Sequence, residues 1–75
     1  MKINYKIYTN QVSLVKTLKL SGACHKEGAA RRLIKRGFVH LNGQPVTDKR
    51  AYVKEGDVIK LFSKEIIIEN TIWYS

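Results

Sequence analysis

Cys24 is the only cysteine in this chain of 75 residues, which excludes an internal disulfide and a cysteine-based zinc cluster. The two histidines, His25 and His40, are too few and too isolated to supply the three or four ligands of a metal site. Acidic residues are scarce: 6 Asp and Glu stand against 14 Lys and Arg, a formal net charge of +8. No glycine-rich phosphate loop occurs, and no carboxylate pair sits poised on one element, so the usual groups of hydrolytic and nucleotide chemistry are missing. A non-enzyme without a cofactor is expected. No apolar run reaches the roughly 20 residues of a membrane span. Met1 to Tyr8 alternates polar and apolar residues where a secretory signal would be continuously apolar. These absences predict a cytoplasmic chain with no membrane partner. A chain this short has room for one domain, expected over residues 1–75, and little room for an enclosed cavity. Binding is therefore expected on its outside.

What the sequence does hold is unevenly placed. Nine basic residues fall between Lys16 and Arg50, with only Glu27 and Asp48 among them. Ile3, Tyr5 and Ile7 recur at period two, which predicts a half-buried first strand. A first helix is expected from about Asn10 to Leu20, capped by Thr9 or Asn10 and ended at Gly22. Leu14, Val15 and Leu18 would form its apolar stripe. A second helix is expected from Lys26 to Arg36, stopped by Gly37. Ala29, Ala30, Leu33 and Ile34 fall on one side of it, and Arg31, Arg32, Lys35 and Arg36 cover an arc of roughly 140° opposite. Phe38 to Leu41 returns to period two. Asn42-Gly43 is a strong hairpin signal, because both residues accept positive φ. Gln44-Pro45-Val46 is the expected return strand, held at an edge because Pro45 has no amide donor. Glu55-Gly56-Asp57 reads as a turn into a strand from Val58 to Phe62. Ser63 to Glu65 reads as a short hinge before a last strand, Ile66 to Ile68, the expected partner of the first.

Helix, basic helix, glycine stop, strand, Asn-Gly hairpin and a Gly-Asp turn follow one another in a specific order. The residues that carry it are Leu18-Lys19-Leu20-Ser21-Gly22, then Ala30-Arg31-Arg32-Leu33-Ile34-Lys35-Arg36-Gly37-Phe38-Val39-His40-Leu41-Asn42-Gly43, then Glu55-Gly56-Asp57-Val58-Ile59. This segment resembles the RNA-binding domain named after small-subunit ribosomal protein S-four, the αL motif. In its short length and leading strand the chain is most similar to the stand-alone bacterial members of the YaaA and YbcJ type. The resemblance implies an α+β fold, two helices packed on a small, mostly antiparallel sheet. It also implies non-catalytic binding of structured RNA, typically ribosomal RNA or a ribosomal subunit, in ribosome assembly or quality control. The chain departs from the pattern at Ser13-Leu14-Val15, where many members begin the first helix with Arg-Leu-Asp. It departs again at Glu27, where the ribosomal protein carries a basic residue.

A solvated helix face normally mixes signs, since opposite charges at i and i+4 support a helix and like charges weaken it. The face bearing Arg31, Arg32, Lys35 and Arg36 is read as uniformly positive, which favours contact with phosphates. Lys16, Lys19, Lys26, Lys49 and Arg50 are further candidates for RNA contact. Asn42 is a candidate too, although turn geometry already explains it. Tyr5, Tyr8, Tyr52, Trp73 and Tyr74 are the aromatic rings to consider for stacking; Tyr5 is expected in the core, and Trp73 and Tyr74 are expected to dock on the domain. Cys24 beside His25 lacks a third group to orient a base and reads as a small apolar filler. A monomer is expected. Two other functions fit the same residues. One is a DNA-binding helix-turn-helix, although its recognition helix would normally offer Asn, Gln or Ser to base edges. The other is a ribosome-associated adaptor whose basic face meets an acidic protein.

Overall fold

The computed structural model describes residues 1–71, so the expectation for Trp73 and Tyr74 lies outside the described residues. Among the described residues, seven strands and two helices follow one another in the order β1 (Lys2–Ile7), β2 (Gln11–Ser13), α1 (Leu14–Leu20), α2 (Glu27–Lys35), β3 (Val39–Leu41), β4 (Gln44–Pro45), β5 (Tyr52–Lys54), β6 (Val58–Leu61) and β7 (Lys64–Asn70). Five of the strands form one sheet in the order β1-β7-β6-β3-β4, antiparallel except where β1 lies parallel to β7. The other two, β2 and β5, make an antiparallel ribbon. The class is α+β, as the sequence predicted.

One face of the large sheet and the inner sides of both helices share a core. Ile7, Val39, Ile59, Leu61, Ile66 and Ile68 come from the sheet, Val53 from the ribbon, Leu14, Val15 and Leu18 from α1, and Ala30 and Ile34 from α2. The first strand joins the last as expected, with Ile3 opposite Ile66 and Tyr5 opposite Ile68. The opposite face of the sheet carries charges of alternating sign. Lys2 and Lys60 both lie in register with Glu65, and Lys6 with Glu69, the cross-strand arrangement that suits a solvated surface.

The turns follow from their residues. Asn42 and Gly43 take φ of 53° and 85° and close the β3–β4 hairpin, and β4 with Pro45 is the sheet edge. After α2, Gly37 takes φ +81°, the Gly37 amide donates to Ile34 O and the Phe38 amide to Leu33 O. That pair of bonds satisfies carbonyls the helix end would otherwise leave free.

Three expectations need correction. The first helix does not begin at Asn10: residues 11–13 are strand β2, Val12 pairing with Val53. The cap is Ser13, neither Thr9 nor Asn10; its hydroxyl accepts from the Lys16 amide at 3.4 Å, and its carbonyl accepts from Thr17 Oγ1 at 2.8 Å. Pairing with β5 offers these backbone groups partners that local sequence does not reveal. Second, Ala29 is exposed, not part of the core, so the buried stripe of α2 is narrower than its alanines suggest. Third, the strand expected through Phe62 stops at Leu61, and Lys64 and Glu65, expected in a hinge, already belong to β7, which runs on past Ile68 to Asn70. Phe62 takes φ +56° in a two-residue turn with Ser63, its ring 5.6 Å from that of Phe38. A bulky residue with positive φ is unusual, and nothing in the sequence marks it.

Candidate nucleic-acid interface

Burying Ala30 and Ile34 fixes the rotation of α2, so Arg31, Arg32, Lys35 and Arg36 all stand exposed. Arg32 and Lys35 lie in the last turn, where cations complement the partial negative charge of the helix end. Facing them is the loop between β4 and β5. Asp48 shapes it: its carboxylate accepts from the Arg50 amide at 2.8 Å, and its carbonyl accepts from the Ala51 amide at 3.1 Å. Ala51 O in turn accepts from the Leu14 amide at 2.9 Å, which ties the loop to the start of α1. Thr47, Lys49 and Arg50 are thereby held across from α2.

Between helix and loop runs an open groove of about 440 Å³ lined by Arg31, Arg32 and Lys35 on one side and Thr47 to Arg50 on the other. A second groove of about 460 Å³ shares Arg31, Lys49 and Arg50 with the first and continues to Lys16, Glu27 and Tyr52. Six of the cations expected from the sequence, Lys16, Arg31, Arg32, Lys35, Lys49 and Arg50, are thus gathered along one channel.

The channel is not uniformly positive, which corrects the reading of α2. Glu27 lies one turn before Arg31 and pairs with it at 3.3 Å, and Asp48 lies 3.8 Å from Arg50. Both pairs are exposed and worth little in stability. Among the described residues, Lys16, Arg32, Lys35 and Lys49 form no ion pair and keep their charge available.

Lys19, Lys26 and Arg36 are exposed but line neither groove; they sit in the last turn of α1 and at the two caps of α2. Asn42 is committed to the fold. Its Nδ2 donates to Asp57 Oδ1 at 3.0 Å and its Oδ1 accepts from the Val58 amide at 2.9 Å. Tyr5 is half-buried against the core and Tyr8 is exposed. Thr47 lines the channel without having been singled out from the sequence, since no charge or periodicity marks it, and Ser13, where the chain departs from the Arg-Leu-Asp pattern, lines it too.

Cys24 is buried, and burial pushes its thiol up from the ordinary value, partly offset by the positive charge of Lys64, while His25 beside it is exposed. A thiol held protonated is a poor nucleophile. Among the described residues no group of three or more His, Cys, Asp or Glu is placed to hold a metal ion. No helix among them is long and apolar enough to cross a membrane.

Residues 5–69 match a family described as the S4 domain. No curated protein sequence matches the chain. Among solved structures, the crystal structure of the 30S ribosomal protein S4e from Thermoplasma acidophilum is similar, with a TM-score of 0.58 and 31% sequence identity. The similarity covers 76% of this chain and 30% of that one, so the present chain corresponds to under a third of the ribosomal protein.

Proposed function

This chain belongs to the S4 domain family, and from that premise we propose that it is a non-catalytic binder of structured RNA, such as ribosomal RNA within a ribosomal particle. The observation that carries the reading is the asymmetry of charge. Cations from three separated parts of the sequence meet in one channel between α1, α2 and the β4–β5 loop, whereas those of the far sheet face are interleaved with Glu65 and Glu69. A channel of fixed cations suits a phosphate backbone, and A-form RNA is recognised by shape and backbone because its major groove is closed to side chains. Similarity to a ribosomal protein supports RNA over DNA as the partner, and over an acidic protein.

The test is a salt titration on a ribosomal RNA hairpin. Neutralising four to six phosphates gives a log K against log salt slope of roughly −3.6 to −5.4, using the duplex DNA coefficient. Replacing Arg32, Lys35 and Lys49 together with Gln should flatten the slope by roughly 2.7. Replacing Lys2, Lys6 and Lys60 with Gln removes the same charge from the far face and should leave the slope where it was. Equal effects of the two triple variants would mean that net charge, not the channel, governs binding.

A further inference from the structure

The channel holds an aromatic side chain among its cations. Tyr52 is 58% exposed and lines the second groove beside Lys16 and Arg50. It also lines a third groove, about 300 Å³, that continues past Lys16 to Leu20 and Tyr5. Its mount is rigid: β5 pairs with β2 through Ser13 opposite Tyr52, and the next residue, Val53, is 1% exposed in the core. The ring is therefore held in water on a fixed ribbon, in a wall of cations. Glu27 lies in the same groove, paired with Arg31, and its carboxylate can also accept from a base amino group.

A continuous duplex offers the phenol hydroxyl phosphates and 2′-hydroxyls but gives the face of the ring no base to stack on, since its bases are stacked on each other. An unpaired nucleotide does, because its base can stack on an aromatic face while flanking phosphates meet basic side chains. We infer that Tyr52 is a stacking platform for an unpaired nucleotide, with Lys16 and Arg50 holding its phosphates. The RNA fitting this site is then a duplex with an unpaired base beside the backbone gripped by α2. This rests on the RNA-binding reading above and specifies its substrate.

The test compares a blunt RNA hairpin with otherwise identical hairpins carrying 2-aminopurine in a bulge, a 5′ overhang or a 3′ overhang. The intact protein should bind at least one unpaired probe more tightly than the blunt one and quench its fluorescence. Tyr52→Thr, which keeps a strand-forming residue, should weaken that probe about 5- to 150-fold and abolish the quenching. Affinity for the blunt hairpin and the salt slope should not change, and Tyr52→Phe should behave as the unaltered protein. Equal binding of blunt and unpaired probes, or a folded Tyr52→Thr variant without effect, would overturn the inference and leave RNA binding standing. Failure of every probe to bind would bring down the RNA-binding reading and this inference together.

Discussion

Asp57 shows how a motif residue can serve the site without touching it. It is 7% exposed, accepting from Asn42 Nδ2 at 3.0 Å and from the Lys54 amide at 2.8 Å, and so joins the β3–β4 hairpin to the turn that feeds β6. Removing the carboxylate takes away two part-buried hydrogen bonds to a charged acceptor, so Asp57→Ala should cost about 1 to 3 kcal/mol in urea denaturation. Asn42→Gly keeps the positive φ but loses the amide bonds; it should cost about 1 kcal/mol and leave the RNA salt slope unaltered. Cys24 is structural as well. Because burial raises its thiol, the unfolded chain gives up that proton first as pH rises. Its contribution to stability is intact below the ordinary thiol range and is lost as pH climbs through it. Cys24→Ala should cost about 1 kcal/mol at neutral pH and abolish that alkaline loss, which paired urea titrations at neutral and alkaline pH would reveal.

At the scale of the element, the cations of α2 act on the helix in opposing ways, complementing its C-terminal end while repelling one another. Arg31 and Lys35, and Arg32 and Arg36, are like charges four apart, each pair weakening a helix by about 0.2 to 0.5 kcal/mol, with Glu27 relieving only Arg31. Changing all four cations to Gln relieves those repulsions but removes the Glu27 pair and the cations that complement the helix end, so the melting temperature should change little while RNA affinity falls; a large drop in melting temperature would mean that they hold the fold together. The helix stop is separable from this. An added Cβ at Gly37 would meet nothing within 4 Å, so Gly37→Ala tests the φ of +81° alone and should cost about 1 to 2 kcal/mol.

For the molecule as a whole, the parallel pairing of β1 with β7 joins segments from the two ends of the described chain and covers the edge of β7. A protein of this length has roughly 4 to 11 kcal/mol of stability to lose. Deleting residues 1–8 removes the buried Ile7, the partly buried Ile3 and Tyr5, and the cover over Ile66 and Ile68. Each fully buried side chain of that kind is worth about 1.5 to 3 kcal/mol. The truncated protein should show no cooperative thermal transition by circular dichroism; a sharp melt would mean that β1 is an accessory strand.

Features that depend on near neighbours in the chain are legible in the amino-acid sequence. Period-two and period-3.6 spacing locate β1 and α2, while Gly37 and Asn42-Gly43 mark their turns through backbone φ, which is a local property. The cationic face of α2 follows from the same periodicity. Contacts between distant residues are not legible. Residues 11–13 become strand because β5 pairs with them, Phe62 turns where its own preference would continue a strand, and Asp57 is a buried junction only because the hairpin reaches it. The channel is of this kind too: Lys16, Lys49 and Arg50 join α2 because the Ala51 carbonyl is bound by the Leu14 amide. Sequence determined which side chains carry charge and which local shapes they take. Tertiary packing alone decided which of those charges stand together, because side chains far apart along the chain meet only when the core brings their elements into contact.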